Sequence, residues 1–490
     1  MRHNFSYKHI IVGAARSIVI LSVFSVIGCS DELETTSKTS LSSATIFSTE
    51  ARIEGLANGL YKSLKTANLY SGYLILYGDL RAEDFVCRTE NALTGGYVWS
   101  NTFTNTTGDI TNTWGQLYAA VNNINTFIDG VGTSNVISES QKNHYLGEAY
   151  FLRGLAYYHL VTLYATPYTK DNGSSKGVPL RLQAENSSEH NALERSSVSD
   201  VYKQITQDLD KAEQLLPESY ETSLLNTTRV HKNTAIALKT RVYLSKGEYA
   251  QVVEEAKKIV PQVTAPFSAT TGVRFTLQDD ITTVFGGNYT TSESIFSFPM
   301  TSSDTPLGVS LSETFFANRI DYVLNSSETG IISDNSWREN DRRRSFVVFN
   351  QEIGQNTLAK YKKVSPSIDY VPAIRYSEVL LNYAEASANT GNVALAIELL
   401  KAVRHRSDNT YEFAAEDLAT GRILSTIAKE KRIELLGEGL RANDILRKLE
   451  TFPSKPTLSS MNPIAVGPND DNYIFPIPNS EIQTNSLINK

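Results

Sequence analysis

Residues 235–260 read AIALKTRVYLSKGEYAQVVEEAKKIV, and the fold follows from this stretch. Ala237, Leu238, Val242 and Tyr243 recur at helical spacing, Gly247 interrupts, and Tyr249, Val253 and Ala256 resume the period. The spacing predicts helices over Ala235–Ser245 and Glu248–Val260, the first ended by a glycine that carries no Cβ penalty. Small residues at Ala237 and Ala256 let the two helices approach closely. The predicted unit is a helix pair.

The same pattern extends in both directions. Ala373–Asn389 and Val393–Arg406 flank Gly391-Asn392, with Ala384, Ala386 and Ala396 as small contacts. Leu418–Leu436 and Arg441–Leu449 flank Gly437-Glu438-Gly439. Gln141–Tyr164 is a long amphipathic segment, Val198–Leu216 follows after a loop, and Arg52–Lys65 and Trp114–Ile128 are weaker helical patterns. The 235–260 unit resembles one tetratricopeptide (TPR) repeat, but the pairs are irregularly spaced, so a uniform solenoid is not expected. Three stretches, about 66–112, 166–196 and 262–372, are rich in Thr, Asn, Ser, Gly and Tyr and carry short alternating runs such as Ser294–Phe298. Insertions of this kind lie on the surface of a scaffold and are natural carriers of function. The expected fold is mainly α, with TPR-like helix pairs as scaffold and loop-rich insertions carrying short strands.

Composition narrows the function. The 490 residues are 41% hydrophobic and 20% charged, with mean hydropathy −0.25. These values argue against a disordered chain and a multi-span membrane protein. A formal charge of −7 argues against nucleic acid as a partner, since phosphate contacts need clustered Lys and Arg. Two cysteines, Cys29 and Cys87, can build neither a disulfide framework nor a four-cysteine zinc site. At the N-terminus, Arg2, Lys8 and Arg16 precede an apolar run, Ser17–Gly28, and no acidic residue occurs before Asp31. That run falls short of the roughly 20 residues needed to span a bilayer and reads as a secretory signal. Val26-Ile27-Gly28-Cys29 resembles the lipobox of bacterial lipoproteins, in which the Cys is lipidated and becomes the mature N-terminus. The acidic residues after Cys29 resemble the surface-export signal of glycan-foraging Gram-negative bacteria. The expected organisation is a signal peptide over 1–28, a lipidated flexible tether over 29–50, and a main body over 51–490. Cys87 then has no intrachain partner and is expected to be a packed, inert thiol.

Catalytic signatures are weak. No H-E-x-x-H motif or His/Cys/Asp cluster is present, so no metal or other cofactor is implied. Gly173-Ser174-Ser175-Lys176-Gly177 matches G-x-S-x-G, but Pro167, Asp171 and Asn172 before it and Val178-Pro179 after it predict a loop rather than a strand–elbow–helix. In 337–344, Glu339 and Asp341 interleave the arginines, which predicts a salt-bridged surface.

Several blocks carry a family resemblance. Residues 430–447, EKRIELLGEGLRANDILR, are similar to the E-R-R-x-E-L-x-x-E-G-x-R-W-x-D-L-x-R pattern of the SusD/RagB family of outer-membrane lipoproteins. Residues 370–386 resemble the family's P-x-I-R-Y-x-E-V-L-L-x-Y-A-E-A helix. Glu148–Gly154 with Gly177–Leu180, then Trp114/Tyr118/Asn122, and the tail Phe475–Ile482 resemble further family segments in the right order. Ala442 stands where the family usually has Trp, and Lys448-Leu449 replaces its usual Trp/Gly ending. Within the first block, Glu434, Glu438 and Arg441 are expected near one face, and Arg441, Asp444 and Arg447 are expected to tie the last helices together.

The resemblance implies a cell-surface glycan-binding lipoprotein in one structural unit (51–260 and 261–490), which delivers oligosaccharides to a SusC-like TonB-dependent transporter without catalysis. A peptide-capturing RagB-like protein is the alternative, and a lipoprotein glycoside hydrolase a more distant one. Sugar rings offer an apolar C–H face and a hydroxyl rim, so aromatic platforms beside Asn, Asp or Arg are the expected site. Two loop clusters fit: Arg81, Asp84, Tyr97, Trp99 and Asn101, and Asn288, Tyr289, Tyr322 and Trp337. Trp99 is the expected principal platform, with Tyr289 or Trp337 opposite.

Overall fold

The computed structural model describes residues 46–490 apart from 188, 190, 288, 307 and 308. The signal segment, Cys29, most of the tether and Asn288 therefore lie outside the described residues. Residues 49–490 form one unit. Its first helix, α1 (Glu50–Leu64), is capped by Thr49 and buries Ile53, Ala57, Leu60 and Leu64. After it come α2 (Tyr73–Leu80), β1 (Phe85–Cys87), α3 (Gly108–Thr133) and α4 (Glu139–Tyr164), the last opened by a Ser138/Gln141 capping box. The predicted pair is α6 (Lys232–Lys246) and α7 (Tyr249–Ile259), preceded by α5 (Val198–Leu215) and joined at Gly247, whose φ is 71°. Next are β2 (Ser294–Phe298), β3 (Tyr322–Leu324), β4 (Val347–Asn350), β5 (Gln355–Leu358) and β6 (Val371–Arg375). The chain closes with α8 (Tyr376–Asn389), α9 (Val393–Ser407), α10 (Ile423–Glu434) and α11 (Arg441–Arg447).

The fold is mainly α. The helices pack in a continuous succession, α3 on α4, α4 on α5, then α6, α7 and α8, with α8 also against α9 and α10. The strands form antiparallel two-stranded ribbons: β1 with β3, β2 with β6 and β4 with β5. One predicted boundary is corrected. Residues 373–375, expected to open a helix, instead close β6, where Val371 pairs with Phe298 and Arg375 with Ser294. Pro372 fits a ribbon because an edge position asks no donor of it. The predicted break over 66–112 also holds α2, an almost wholly buried helix with no amphipathic period to betray it.

Buried ion pairs join the elements. Arg375, at the end of β6, bonds Glu438 at 2.7 Å and Glu434 at 3.0 Å and also reaches Glu293. Lys360 reaches Glu438 at 2.6 Å, and Arg406 of α9 reaches Glu293 at 2.8 Å and Glu434 at 2.5 Å. Arg343 bridges Asp341, Glu430 and Glu434, so the predicted salt-bridged surface at 337–344 is in part a buried one. Burial alone would raise the Glu434 carboxyl, but Arg406, Arg375 and Arg343 outweigh it and hold it well below the carboxylate range. Arg447 pairs with Glu385 of α8 at 2.7 Å and with Asp444 at 2.6 Å.

Arg441 departs from the expectation. Gly437 and Gly439 take φ of 78° and 79°, which ends the helical phase, so Arg441 swings to Glu83 at 2.8 Å rather than joining Asp444 and Arg447. Gly439 is required for a second reason. A Cβ there would lie 2.8 Å from Ile75 Cα, and one on Gly78 would lie 1.9 Å from the Gly439 carbonyl oxygen, so α2 touches this turn backbone to backbone. Cys87 is buried, and its Sγ donates to the Thr89 carbonyl at 3.0 Å.

Glu438→Ala should lose about 3–5 kcal/mol, because the buried Lys360 is left without its carboxylate and Arg375 loses one of its three. Arg441→Ala, at the solvent rim, should lose about 1 kcal/mol. Denaturant unfolding of both variants measures the difference, and equal losses would contradict this placement. The depressed carboxylates stabilise the fold above the unfolded Glu pKa of about 4.3 and lose that effect as pH falls through their folded values, so the gap between wild type and Glu438→Ala should close in acid.

Candidate functional site

The segment between β1 and α3 builds the most solvent-accessible aromatic feature of the expected region. Asn91 caps the turn 92–94 by accepting from Leu93 N at 3.1 Å, and Gly95, with φ 88°, redirects the chain into the short helix Gly96–Trp99. Tyr322 of β3 donates its hydroxyl to Thr94 O at 2.9 Å, and Tyr73 of α2 donates to Leu93 O. Tyr97 and Trp99 are two residues apart on a helical turn and therefore point about 200° apart. Tyr97 is 46% exposed and Trp99 is fully buried.

Tyr97 lines a cleft of about 410 Å³ with Leu93, Thr102, Thr104, Thr106, Thr107 and Asp109. Leu93 is 80% exposed. Asp109 stands in the first turn of α3, with its Oδ2 buried and its carboxyl beside the Tyr77 hydroxyl. Burial raises this carboxyl to about 7, against a smaller lowering by the Tyr77 hydroxyl. The cleft thus offers an apolar ring and side chain, several hydroxyls and one carboxyl group. That set suits a ligand with an apolar face and a hydroxyl rim.

Other residues of the first expected cluster are brought together, but as a pin inside the molecule. Trp99 Nε1 donates to Phe85 O at 2.9 Å, and the Lys455 ammonium lies 5.2 Å from its ring. Arg81 donates to Asn101 Oδ1 at 3.1 Å, to Asn472 O at 2.7 Å and to Tyr473 O at 3.1 Å, and lies 3.9 Å over the Phe452 ring. Burial lowers the guanidinium to about 9. Asn101, with φ 57°, donates to Ile464 O at 3.2 Å and accepts at its carbonyl from Asn472. Asp84 is buried, accepts from Ile331 N at 2.8 Å and pairs with Arg432 at 2.6 Å. Every one of these polar groups already has a protein partner.

The second cluster disperses. Tyr322 is buried in β3 beneath the Tyr97 turn. Tyr289, with φ 62°, stacks on Tyr370 at 4.8 Å and donates its hydroxyl to Asp369 at 2.6 Å. Trp337 is 2% exposed, with the Arg344 guanidinium 4.4 Å from its ring. As placed, neither tryptophan presents a ring face to solvent, which corrects the expectation that Trp99 is the principal platform. Leu93, Asp109 and the Thr102–Thr107 hydroxyls were missed. A run of four threonines within 102–107, placed just before a helix, is the signal in the sequence that marks them.

Other expected features resolve simply. Trp114 and Tyr118 lie on α3 with Asn122. Trp114 reaches Glu481, Tyr118 donates to Pro179 O, and Asn122 exchanges hydrogen bonds with the Glu185 backbone, so this face fastens the 179–185 segment and the C-terminal tail. The G-x-S-x-G run follows the short helix Tyr168–Asp171, not a strand, and Asp171 accepts from the backbones of Ser174 and Ser175. Among the described residues no group of three or more His, Cys, Asp or Glu converges to hold a metal, and no helix is long and apolar enough to cross a membrane.

Comparison with known proteins adds to this geometry. A family model described as "Starch-binding associating with outer membrane" matches residues 31–244, and one described as "SusD family" matches residues 241–490. The "SusD-like protein P2" of Formosa agariphila is 26% identical over 95% of this chain and 97% of that relative. Among solved structures, a SusD superfamily protein of Bacteroides fragilis has a TM-score of 0.81 at 32% identity, covering 91% of this chain and all of that one. A "Laminarin binding SusD-like protein" has a TM-score of 0.71 at 20% identity, covering 90% of this chain and 98% of that one.

Trp99→Ala should lower stability by about 3–5 kcal/mol, because it empties a closed core site and strands the Phe85 carbonyl. A melting curve checks this. Unchanged melting with lost ligand binding would restore Trp99 as a platform.

Proposed function

Since this chain belongs to the SusD/RagB family, we propose that it is a cell-surface glycan-binding lipoprotein that captures oligosaccharides and passes them to a SusC-like TonB-dependent transporter. Outer-membrane association is a general property in the descriptions of the matched families. The observation that carries the glycan reading is the Tyr97 cleft, where a half-exposed aromatic ring stands beside threonine hydroxyls and the Asp109 carboxyl. The sugar's C–H face stacks on Tyr97, and its hydroxyls donate to Asp109. A binding role fits better than hydrolysis. Asp109 is the one carboxylate among the described residues that line the cleft, whereas glycosidases generally set two carboxyl groups about 5–9.5 Å apart.

Lipidation at Cys29 anchors the chain, with residues 29–50 as the tether. Cys29→Ala should therefore yield an unlipidated protein that retains its signal segment. Mass spectrometry of the membrane-extracted protein decides the point, and a mutant still processed and acylated would refute the assignment.

A handover protein needs rapid release, so affinity between micromolar and millimolar is expected, about −4 to −8 kcal/mol. Tyr97→Ala should cost about 1–2 kcal/mol of that, enough to abolish calorimetric binding, and leave melting unchanged. Asp109 adds a pH signature. Above its value of about 7 it is a carboxylate, whose bonds to hydroxyls are about twice as strong as neutral ones, so binding of a neutral glycan should tighten from pH 6 to pH 8. Stability should move the other way. A carboxyl raised above its unfolded value of about 3.9 favours the fold at low pH, and that contribution is lost as pH rises through about 7. Asp109→Asn should flatten both profiles, and a pH-independent affinity in the wild type would remove Asp109 from the site.

A further inference from the structure

A second concave surface lies along α10, in a different part of the molecule from the Tyr97 cleft. Two clefts, of about 530 and 280 Å³, meet at Ser425 and Lys429. The larger runs between α10 and the α11 end of the chain, past Tyr249, Arg441 and Lys448. The smaller opens toward the long connection between α9 and α10, past Tyr411, Phe413 and Arg422. Six cationic side chains line the two against three carboxylates, in a chain whose overall formal charge is −7. The groove is locally basic on an acidic protein.

The cations in it divide into two kinds. Arg404, Arg432 and Arg441 are committed: Arg404 is buried against Glu430 at 2.6 Å and the Ser336 carbonyl at 2.9 Å, Arg432 pairs with Asp84 at 2.6 Å, and Arg441 pairs with Glu83 at 2.8 Å. Arg422 and Lys448 are held loosely, 3.6 Å from Asp417 and 3.7 Å from Glu385, whereas Lys429 makes one direct but half-exposed pair with Asp334 at 3.0 Å. The Arg422 and Lys429 side chains are 64% and 42% exposed. Exposed single pairs are weak and exchangeable, so an incoming anion can take the carboxylates' place.

Aromatic rings accompany the cations at both ends. Tyr249 lines the larger cleft, while Phe413 stands edge-on to Tyr411 at 4.9 Å in the smaller one. Arg404 stacks 4.3 Å from Tyr411, and His405 Nε2 lies 2.9 Å from the Tyr411 carbonyl oxygen, so the loop that presents Phe413 is fixed from below. Between the ends the lining is Ser425, Thr426 and Asn389, with Leu424 and Ala428 as the apolar contribution. A peptide helix would need a broad apolar floor, which this groove lacks. Rings for C–H faces, hydroxyls for a hydroxyl rim and exposed cations for negative groups describe a charged sugar chain.

We propose that the α10 groove is a second glycan site that takes an anionic oligosaccharide, one bearing carboxylate or sulfate groups. The inference rests on the glycan-binding reading above for its ligand class, but uses none of the same residues. Calorimetric titration of the full mature chain with tetragalacturonate, a sulfated carrageenan tetrasaccharide and neutral maltotetraose tests it, with an oligoglutamate peptide as the acidic non-sugar. At least one anionic sugar should bind, more weakly as salt shortens the Debye length. Arg422→Gln/Lys429→Gln should weaken that binding by roughly tenfold or more, since a charge-assisted hydrogen bond is worth about that much. Phe413→Leu, which keeps the apolar volume but removes the ring, should weaken it as well, and Tyr97→Ala should not. Melting curves confirm that these variants are folded. The proposal is overturned if neither anionic sugar exceeds maltotetraose, if the α10 variants leave anionic binding intact, or if oligoglutamate binds as tightly as the sugars. Failure of the first site is read separately, as neutral-glycan binding that Tyr97→Ala does not alter.

Discussion

The fold depends on buried arginine–carboxylate pairs placed at the joints between its elements. Arg153 of α4 reaches Asp208 of α5 at 2.7 Å and Asn125 of α3 at 2.9 Å. Lys239 of α6 meets Glu213 of α5 and Glu255 of α7. Arg241 of α6 clamps Glu378 of α8 at 2.6 Å, and Arg447 of α11 clamps Glu385, seven residues further along the same helix. Beyond α8, the cluster around Arg375 and Glu434 gathers β6, α9, α10 and the 437–439 turn. Hydrophobic faces alone would tolerate many helix orders, whereas an unpaired buried charge costs several kcal/mol. Each pair is satisfied only if the correct neighbour arrives. Desolvation consumes much of their Coulombic gain, so the pairs add less net stability than their number suggests.

Much of this was legible. The helix pairs followed from period and glycine punctuation, and the 430–447 block is the stretch that supplies Glu430, Glu434, Glu438, Asp444 and Arg447 to the buried pairs. Its resemblance to a family pattern is thus a resemblance in a charge network. Ala442, where the family usually has Trp, lies buried against Ile445, Leu446, Phe452 and Val466, so the smaller side chain is accommodated within an apolar cluster. What the sequence could not supply is which side of a short helix faces inward. Tyr97 and Trp99 carry equivalent aromatic signals, and a half turn separates a surface ring from a core one. Arg81 and Asn101 failed for a related reason: their partners, Asn472, Tyr473 and Ile464, lie more than 350 residues away in the chain. No local pattern reports a contact of that separation. β6 was missed because its pairing with β2, some 77 residues earlier, overrides a helical-looking run at 373–375.

The same long-range pins hold the walls of the Tyr97 cleft in place. On one side the Arg81–Trp99–Asn101 pin fixes the segment from beneath. On the other, Arg88 donates to the carbonyls of Arg319 at 2.7 Å and Ile320 at 2.8 Å, holding a loop in which Asn318 and Ile320 have φ of 66° and 46°. A β-branched residue at positive φ is strained and persists only where its surroundings over-determine it. That loop leads directly into β3, whose Tyr322 fastens the turn carrying Leu93 and Tyr97. The platform is presented by a rigid frame.

Rigidity of this kind suits the proposed role of capture and release. A preformed site avoids the ordering cost of flexible loops, so a few contacts suffice for measurable binding. Shallow contact with one exposed ring keeps the total small, and a small total appears chiefly as a fast off-rate. Deep burial of Trp99 in the same turn is what permits this division. It supplies the stability of the frame, while Tyr97, two residues earlier, is left exposed at the cleft.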